Sequence, residues 1–517
     1  MTLDYKTFSK GNQPMMRTMI FRFLLYSVSV VFAAEAVVKP GFLVKITPKG
    51  LQFLGDQGRS ELIKEITKLT IPDQSGSENI HVGHVQYSFT NMHVTEFSFP
   101  NATISTKNNV GVTVAGTGLQ ISIHGGWKYS IHSIVPVKDH GSFEATISSI
   151  SLSVTIEIGV DKSGRPTVHS SPSDCKFHTG DVKVDLHGGA SWLYNLFDHT
   201  IEHAIRDSLN DKVCNIVLKE VNTDLAKEVA TLKVLAPITA NAEIDYSLVS
   251  APEFNQSLTA AMKGEVYEIG NHTEAPYHIP TIPEDVEKSR MVFMWVTDFL
   301  ADSAGYVLHN TNFFHYNVTQ DKIPPGSKFS LNTSDFAVKF LIPELSERYP
   351  NMLMQLNLNT TAPPRLIILP EGVTALINGS IAAYVIHPNT TLTYVFTLAS
   401  DLKLSALFGF RQTNLTWNST FLSENVTLTS SAIGPFNMGI LRMGLELACK
   451  TYLIPMLNEM GADGIPLPTI GSYGFQNPTI IQGKGFLKIG LDLSSNSQAQ
   501  RPSSNLFQGM NQRGGFT

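Results

Sequence analysis

Residues 191–229 constrain the fold of this chain more than any other stretch. Apolar residues recur there at intervals of three and four, and neither glycine nor proline interrupts them, which predicts one amphipathic helix. The apolar positions are Leu193, Leu196, Phe197, Ile201, Ala204, Ile205, Leu209, Val213, Ile216, Val217, Val221, Leu225 and Val229. At about 1.5 Å per residue the helix would be roughly 58 Å long, twice the diameter of a small domain. It therefore needs a long, curved partner surface on which to bury its apolar face.

That partner surface is predicted just upstream, because apolar and polar residues alternate through residues 80–160. In the clearest example Leu152, Val154, Ile156 and Ile158 are separated by polar residues. This period of two is typical of an antiparallel sheet with one apolar face. A sheet rolled against one very long helix forms a container, and an apolar container can hold lipid. The residues predicted to line it are Leu51, Leu54, Ile63, Ile66, Leu193, Phe197, Ile201, Ile205 and Leu209. The alternative is that these side chains form an ordinary core.

The N-terminus has the features of an export signal. An apolar run at residues 23–33 follows Arg22 and is too short to cross a membrane. The sequence Ala-Glu-Ala that comes next offers small residues at the positions a signal peptidase reads, so residues 1–36 are predicted to be a leader and signal peptide. No later segment reaches about 18 consecutive apolar residues. We therefore expect a secreted, extracellular protein.

An oxidising compartment makes the three cysteines informative, because they can form one disulfide and leave one over. Cys175 precedes the long helix and Cys214 lies late in it. We expect these two to be joined, which would pin the helix to the sheet, and Cys449 to be a buried thiol on a C-terminal helix. The alternative for the remaining thiol is an intermolecular bridge.

Glycans are predicted to help keep this chain in solution, because its hydrophobic content is 42% and its charged content only 16%. The sequence contains eleven Asn-x-Ser/Thr sequons, nine of them after residue 270. The predicted glycosylation sites are Asn101, Asn255, Asn271, Asn317, Asn332, Asn359, Asn378, Asn389, Asn414, Asn418 and Asn425.

The order of elements repeats loosely along the chain, which suggests two similar halves. The first half opens with a strand at 41–46 and a helix at 48–69. The second has a strand and helix at 291–308, alternating stretches at 336–341, 352–358, 392–398 and 425–429, a second amphipathic helix at 438–460 and a closing strand at 485–493. The predicted divisions are an N-terminal lipid-binding barrel at 37–269, a proline-rich linker at 270–289, a C-terminal lipid-binding barrel at 290–493 and a disordered tail at 494–517.

Several motifs, spread from the mature start to about residue 493, resemble one known family. They include VVKPGFLVKITPKGLQFL at the mature start, YSFTNMHVTEFSFP at 87–100, RMVFMWVTDFLADSAGYV at 290–307 and IGPFN at 433–437. They are similar to the family of bactericidal/permeability-increasing protein and lipopolysaccharide-binding protein. This resemblance implies an α+β fold of two pseudo-symmetric barrel-like domains, each a twisted antiparallel sheet wrapped on a long helix, joined by a central sheet in a boomerang. It also implies one phospholipid pocket per domain, with phospholipid as cargo rather than a cofactor, and a disulfide equivalent to that between Cys175 and Cys214.

Members of that family divide into two functional groups. The antibacterial members grip the phosphates of lipid A with a lysine-rich tip of the N-terminal barrel, whereas the plasma members transfer phospholipid or cholesteryl ester. The resemblance therefore implies either binding of lipopolysaccharide at the bacterial outer membrane or lipid transfer without bacterial specificity. The predicted headgroup-binding residues, all placed at the tip, are Lys64, Lys68, Lys107, Trp127, Lys128 and Lys138. We expect a monomeric innate-immunity protein that kills or labels bacteria and has no nucleic-acid partner.

The first half departs from the strongly basic members of the family. Residues 37–265 contain 19 Lys plus Arg against 24 Asp plus Glu, a formal charge of −5. They also contain eleven of the sixteen histidines. Those predicted near the tip are His81, His84, His124, His132 and His140. Because histidine gains charge as the pH falls, one hypothesis is that the tip becomes basic only in acidic surroundings. The alternative is that these histidines are solvated residues with no joint role.

One short string fits an enzyme signature. His199, Glu202 and His203 match the H-x-x-E-H pattern of one class of zinc hydrolase. The two histidines share a helix face, but it is the polar face of a helix whose other side must bury itself on the sheet. A water-excluding catalytic cleft is therefore not expected there, and we predict a protein with no catalytic residues and no metal site.

Overall fold

A computed structural model describes residues 39–80, 83–133, 135–188, 194–323, 330–412, 414–467 and 473–495. Side chains at positions 80, 194–200 and 466 are not described. The predicted signal peptide, most of the predicted tail, His81 and Leu193 lie outside the described residues, as do the side chains of Phe197 and His199. The described residues from Pro40 onward form one compact unit.

A six-stranded antiparallel sheet joins the beginning, middle and end of the chain. Its strands are β1 (Phe42–Ile46), β13 (Glu253–Asn255), β14 (Ser257–Met262), β16 (Val292–Thr297), β24 (Gly474–Gly483) and β25 (Phe486–Ser494), in the spatial order β13-β14-β1-β16-β25-β24. Val44 pairs with Ala260 on one side and with Met294 on the other. The first strand is therefore hydrogen-bonded to both halves of the chain, and the predicted domain boundaries stay a prediction.

The first half builds a nine-stranded sheet with two helices. The strands are β2 (Thr70–Ile71), β3 (Gln74–Ile80), β4 (Gly83–Ser98), β5 (Ala102–Lys107), β6 (Gly111–His132), β7 (Val137–Val160), β8 (Pro166–His169), β9 (Cys175–His178) and β10 (Val182–His187). Helix α1 spans Pro48–Thr67 and begins at Thr47, whose side chain accepts a hydrogen bond from the Gly50 amide. Strands β6 and β7 pair as an antiparallel hairpin, in which β6 ends at His132 and β7 begins at Val137.

The predicted long helix is confirmed. It runs as α2 (Tyr194–Lys219), a π-helical turn (Glu220–Leu225) and α3 (Ala226–Ala230) without a break. Ile201, Ile205, Leu209 and Val213, spaced four residues apart, are fully buried against the sheet. A three-stranded sheet follows, made of β11 (Leu235–Pro237), β12 (Ala242–Asp245) and β15 (Glu265–Glu268). Residues 272–291 then run without helix or strand, and the proline-rich linker stays a prediction.

The second half repeats the plan with a seven-stranded sheet. Its strands are β17 (Tyr316–Val318), β18 (Leu353–Thr360), β19 (Arg365–Leu369), β20 (Gly372–Ile386), β21 (Leu392–Arg411), β22 (Asn414–Ser431) and β23 (Ile465–Pro466). The helices are α4 (Asp298–Asn310), α5 (Phe336–Leu341), α6 (Pro343–Arg348), α7 (Met438–Ala448) and α8 (Ile454–Asp463), with a π-helical turn between the last two. The α+β fold class, with two similar halves joined by a central sheet, is confirmed.

The alternating stretch at residues 336–341 was predicted to be a strand, and that prediction is wrong because the stretch is helix α5. Asp335 caps the helix by accepting a hydrogen bond from the Ala337 amide. Val338 is buried, whereas Phe336 and Phe340, four residues apart on the opposite face, are 84% and 60% exposed. A six-residue helix with one buried residue can show the same apolar pattern as a short strand.

Candidate functional site

An apolar cavity of about 70 Å³ lies between helices α5 and α7 and the seven-stranded sheet. It is lined by Leu331, Val338, Leu341, Ile342, Met354, Leu356, Ile381, Phe396, Leu398, Leu441, Gly444, Leu445 and Ala448. Every one of these residues is apolar. A lining of this chemistry favours apolar molecules over water.

Two small residues of α7 leave room for this cavity. The helix begins at Asn437, whose side chain accepts hydrogen bonds from the Gly439 and Ile440 amides. Gly444 and Ala448 then follow one another at helical spacing. A Cβ atom at Gly444 would come within 3.1 Å of the Leu341 side chain on α5. Larger side chains at these positions would therefore close the space between the two helices.

The residues predicted to line a pocket in the first half lie in two different places. Ile66, Ile201, Ile205 and Leu209 are fully buried in one cluster with the nine-stranded sheet, and Ile63 packs against that cluster. In contrast, Leu51 and Leu54 belong to the cluster under the central sheet. A lipid-filled pocket lined by these side chains stays a prediction.

The predicted disulfide between Cys175 and Cys214 is present and joins β9 to α2, with a Cα–Cα distance of 5.8 Å. A second clamp lies close by, because Asn222 in the π-helical turn exchanges two hydrogen bonds with the backbone of Ser170, at 2.8 and 2.9 Å. The long helix is thus fastened to the sheet at two points. Cys449 is a free, half-buried thiol in the π-helical turn after α7.

What we call the tip is the set of described residues at the neighbouring ends of β3, β4, β6 and β7: 78–79, 83–84, 128–133 and 135–140. Lys128 on β6 pairs with His140 on β7, and Lys138 pairs with Ser130. Both lysines are exposed. Two apolar residues beside them are also exposed to solvent, Val135 by 71% and Val137 by 43%. The tip therefore combines cations with exposed apolar side chains.

Two residues predicted to bind a headgroup are misplaced for that role. Trp127 is only 4% exposed, and its indole N–H donates a 3.0 Å hydrogen bond to the Ser142 carbonyl, so its ring cannot contact a headgroup in this conformation. Lys107 pairs with Gly111 at the start of β6, 17 residues before Lys128. At about 3.3 Å per residue the two lysines are roughly 55 Å apart. The expectation that Lys107 lies at the tip is wrong.

The remaining two predicted lysines are on the surface of α1 and not at the tip, because Leu69, next to Lys68, accepts a hydrogen bond from Val94, and Val94 pairs with Ile123, well before the end of β6. Lys64 pairs with Glu61 at 2.8 Å, and Lys68 pairs with Glu65 at 2.5 Å. The hydrogen bond from Lys68 lowers the pKa of the Glu65 carboxyl. Exposed pairs of this kind contribute little to stability, so both lysines can exchange their partners for another anion at small cost.

Of the zinc-like string, the side chains of Glu202 and His203 are described, and that of His199 is not. The Glu202 carboxylate accepts a 2.6 Å hydrogen bond from Arg206, and His203 is exposed. Across the described ranges no group of three or more His, Cys, Asp or Glu side chains is placed to hold a metal ion.

The sequons differ in how accessible they are. The exposed ones are Asn101, Asn255, Asn271, Asn359, Asn378, Asn389, Asn418 and Asn425. Asn317, Asn332 and Asn414 are half-buried, and the Asn414 side-chain N–H donates to the Asp463 carbonyl at 2.8 Å. Because a glycan attaches to that nitrogen, Asn414 must give up this bond to be modified. Glycosylation itself stays a prediction.

These features define a class of α+β protein in which two similar sheet-and-helix halves enclose apolar interiors. Residues 50–229 match the N-terminal domain, and residues 236–495 the C-terminal domain, of the LBP / BPI / CETP family. The chain belongs to that family. No helix within the described ranges is both long and apolar enough to span a membrane.

Individual relatives match almost end to end. The chain is 32% identical over 458 residues to the bactericidal permeability-increasing protein of Sebastes schlegelii, which covers 88% of this chain and 95% of that protein. It is 29% identical to the lipopolysaccharide-binding protein of Homo sapiens, covering 91% and 97%. A crystal structure of lipopolysaccharide binding protein matches with a TM-score of 0.65 at 29% identity, covering 88% of this chain and 99% of that chain.

Sequence reasoning did not find the residues around the cavity in the second half. The signal was present, because Leu441, Leu445 and Ala448 share one helix face, and Phe396 and Leu398 share one strand face. Nothing in the spacing shows that these two faces oppose one another. That information lies in the pairing of strands and helices far apart in the chain.

Proposed function

We propose that this chain is a secreted innate-immunity protein that binds lipopolysaccharide of Gram-negative bacteria and holds phospholipid in apolar pockets. The observation that carries the lipid-binding part is the wholly apolar cavity beneath α7. The bacterial part is supported by similarity over most of the chain to proteins named for bactericidal activity and for lipopolysaccharide binding. No catalytic step is part of this proposal. Zinc hydrolysis is not favoured because the Glu202 carboxylate already forms an ion pair with Arg206.

The mechanism is partition of acyl chains out of water. Each buried methylene contributes about 0.8 kcal/mol, so a short stretch of chain already binds measurably. A cavity of about 70 Å³ holds only part of an acyl chain. A whole chain therefore enters by moving α7 away from the sheet, with Leu441 and Leu445 following the helix.

The headgroup remains outside, where the tip offers cations. Lys128 and Lys138 can bind phosphate, while Val135 and Val137 can enter the boundary between headgroups and acyl chains. Lys64 and Lys68 add exposed cations on α1. Trp127 and Lys107 are not part of this surface, for the reasons of burial and distance given above.

The test measures cargo and headgroup preference separately. Native mass spectrometry of the secreted protein should show bound phospholipid. Fluorescent lipopolysaccharide should be displaced by unlabelled lipopolysaccharide and not by phosphatidylcholine vesicles. Lys128→Ala/Lys138→Ala should weaken binding roughly 30-fold, at about 1 kcal/mol per cation, whereas Lys107→Ala at the opposite end of β6 should not. The proposal would be refuted if the purified protein contained no bound lipid and did not bind lipopolysaccharide.

The second candidate is a lipid-transfer protein without bacterial specificity. The negative charge of the first half favours it over a strongly cationic lipopolysaccharide clamp, with 19 basic against 24 acidic residues in 37–265. Equal displacement by lipopolysaccharide and by phosphatidylcholine vesicles would identify this alternative.

A further inference from the structure

The tip carries histidines at positions that no part of the proposed headgroup site uses. His84 on β4 and His132 on β6 are directly opposite one another, and His140 on β7 is opposite Lys128. All three occupy the outward-facing positions of the sheet, since the buried residues Val85, Ile131 and Trp127 alternate with these positions and their partners. Their side chains therefore point to the same face as the lysine that the proposed function uses.

The formal charges of the described tip residues cancel when histidine is neutral. Lys128 and Lys138 supply two positive charges, and Glu78 on β3 and Asp139 on β7 supply two negative ones. The formal charge of the described tip is therefore zero. Protonation of His84, His132 and His140 changes it to +3. Histidine is the side chain that makes this change between about pH 5 and pH 8.

Neither strand neighbour of His84 carries a carboxylate: they are Asn79, whose side-chain oxygen lies 2.9 Å from the His84 ring, and His132. An anionic surface attracts the charged form of a histidine beside it. Proton uptake and surface binding consequently reinforce one another.

A second histidine pair serves as an internal comparison. His93 and His124 are also opposite one another, with ring centroids 5.7 Å apart. His124, however, pairs with Glu144 on its other side, and Glu144 pairs with Asp185 on β10. Carboxylates therefore compensate the charge of this pair locally. In the described strands no carboxylate pairs with His84 or His132, and the exposed Val135 and Val137 lie beside them.

We propose that the tip is a pH-gated docking surface for anionic lipid membranes, switched on by protonation of His84, His132 and His140. An anionic lipid surface is the partner because Val135 and Val137 stand exposed next to these histidines, and a soluble phosphate compound would not cover them. The proposal rests on the proposed function, since it assigns a regulation to the same headgroup site.

The experiment measures binding to phosphatidylcholine vesicles containing about one quarter phosphatidylglycerol, at about pH 5.5 and about pH 7.4. Wild-type protein should bind on the order of 100-fold more tightly at the lower pH, given three added charges. Pure phosphatidylcholine vesicles should show no such change. His84→Gln/His132→Gln/His140→Gln should lose most of the pH response, whereas His93→Gln/His124→Gln should keep it.

Equal wild-type affinity for the anionic vesicles at the two pH values would overturn the inference, as would a triple variant that keeps the full response. Binding of purified lipopolysaccharide at both pH values, measured in parallel, separates the two proposals. If lipopolysaccharide binds strongly at both pH values and vesicle binding does not depend on pH either, only the proposed pH gating is overturned. Absence of lipopolysaccharide binding at both pH values overturns the proposed function, and pH-dependent vesicle binding would still support the docking surface.

Discussion

Removal of the disulfide by Cys175→Ala/Cys214→Ala tests how the long helix is held on the sheet. The double variant leaves no unpaired thiol from this bond to react with Cys449. The bond closes a loop with a sequence separation of 39 residues. The loop-entropy relation for that length gives about 3.9 kcal/mol at 25 °C, because the unfolded chain regains the freedom that the cross-link removed.

Urea unfolding followed by circular dichroism measures this loss. With a slope of about 3 kcal/mol per molar urea, the midpoint of the transition that includes α2 should fall by more than about 1 M. Hydrogen exchange should show where the loss occurs. The amides of β9 and α2 should exchange faster, while those of the seven-stranded sheet should not change.

The matched control is Cys449→Ala, which removes a half-buried thiol that closes no loop. It should change the free energy of unfolding by no more than a surface substitution does, within about 0.5 kcal/mol. If the double variant loses less than about 1 kcal/mol relative to this control, loop closure is not what stabilises this region. The two hydrogen bonds between Asn222 and Ser170 would then be the more important clamp.

Three further predictions concern the second half. Ala448→Phe fills the cavity beneath α7 and should lower phospholipid occupancy in native mass spectrometry, whereas Leu447→Phe on the exposed face should not; equal occupancy would contradict the pocket assignment. Burial and the nearby Asp302 raise the pKa of Asp298 from 3.8 to about 6, so stability should fall as the pH rises from about 4 to about 6. Asp298→Asn should remove that fall, about 1 kcal/mol for this half-exposed group, and an unchanged pH slope of the urea midpoint would refute it. Burial and Glu424 raise the pKa of Cys449 to about 12, so iodoacetamide should label it slowly at about pH 8 until the protein is unfolded; rapid labelling would show an open thiol.

The helical periodicity of residues 191–229 was sufficient to predict one continuous helix, because its apolar spacing is regular over many turns. Its buried positions Ile201, Ile205 and Leu209 follow directly from that spacing. The π-helical turn at Glu220–Leu225 could not be predicted, since one wide turn barely changes the pattern. Predictions for short stretches are less reliable, as α5 shows, because a few residues fit both the helical period and the strand period.

The tip shows where sequence reasoning about a site fails. Lys107 and Lys128 are close in sequence, but Lys107 lies beside the start of the 22-residue strand β6, whereas Lys128 lies near its end. The burial of Trp127 could have been foreseen, since it keeps the period-two spacing of Ile121, Ile123 and Ile131 on the inner face. The pairing of His84 with His132 could not, because register depends on which strands become neighbours.

The central sheet also has a consequence for biosynthesis. Strand β1 leaves the ribosome early, but its partner β16 begins at Val292 and the sheet is completed only by β25 at Phe486. At about 5–20 residues per second, translation takes roughly 20–90 s to travel from β1 to β25. For part of that time one side of β1 is an unsatisfied strand edge. A fragment truncated before β16 would keep that edge open permanently, and we expect it to self-associate.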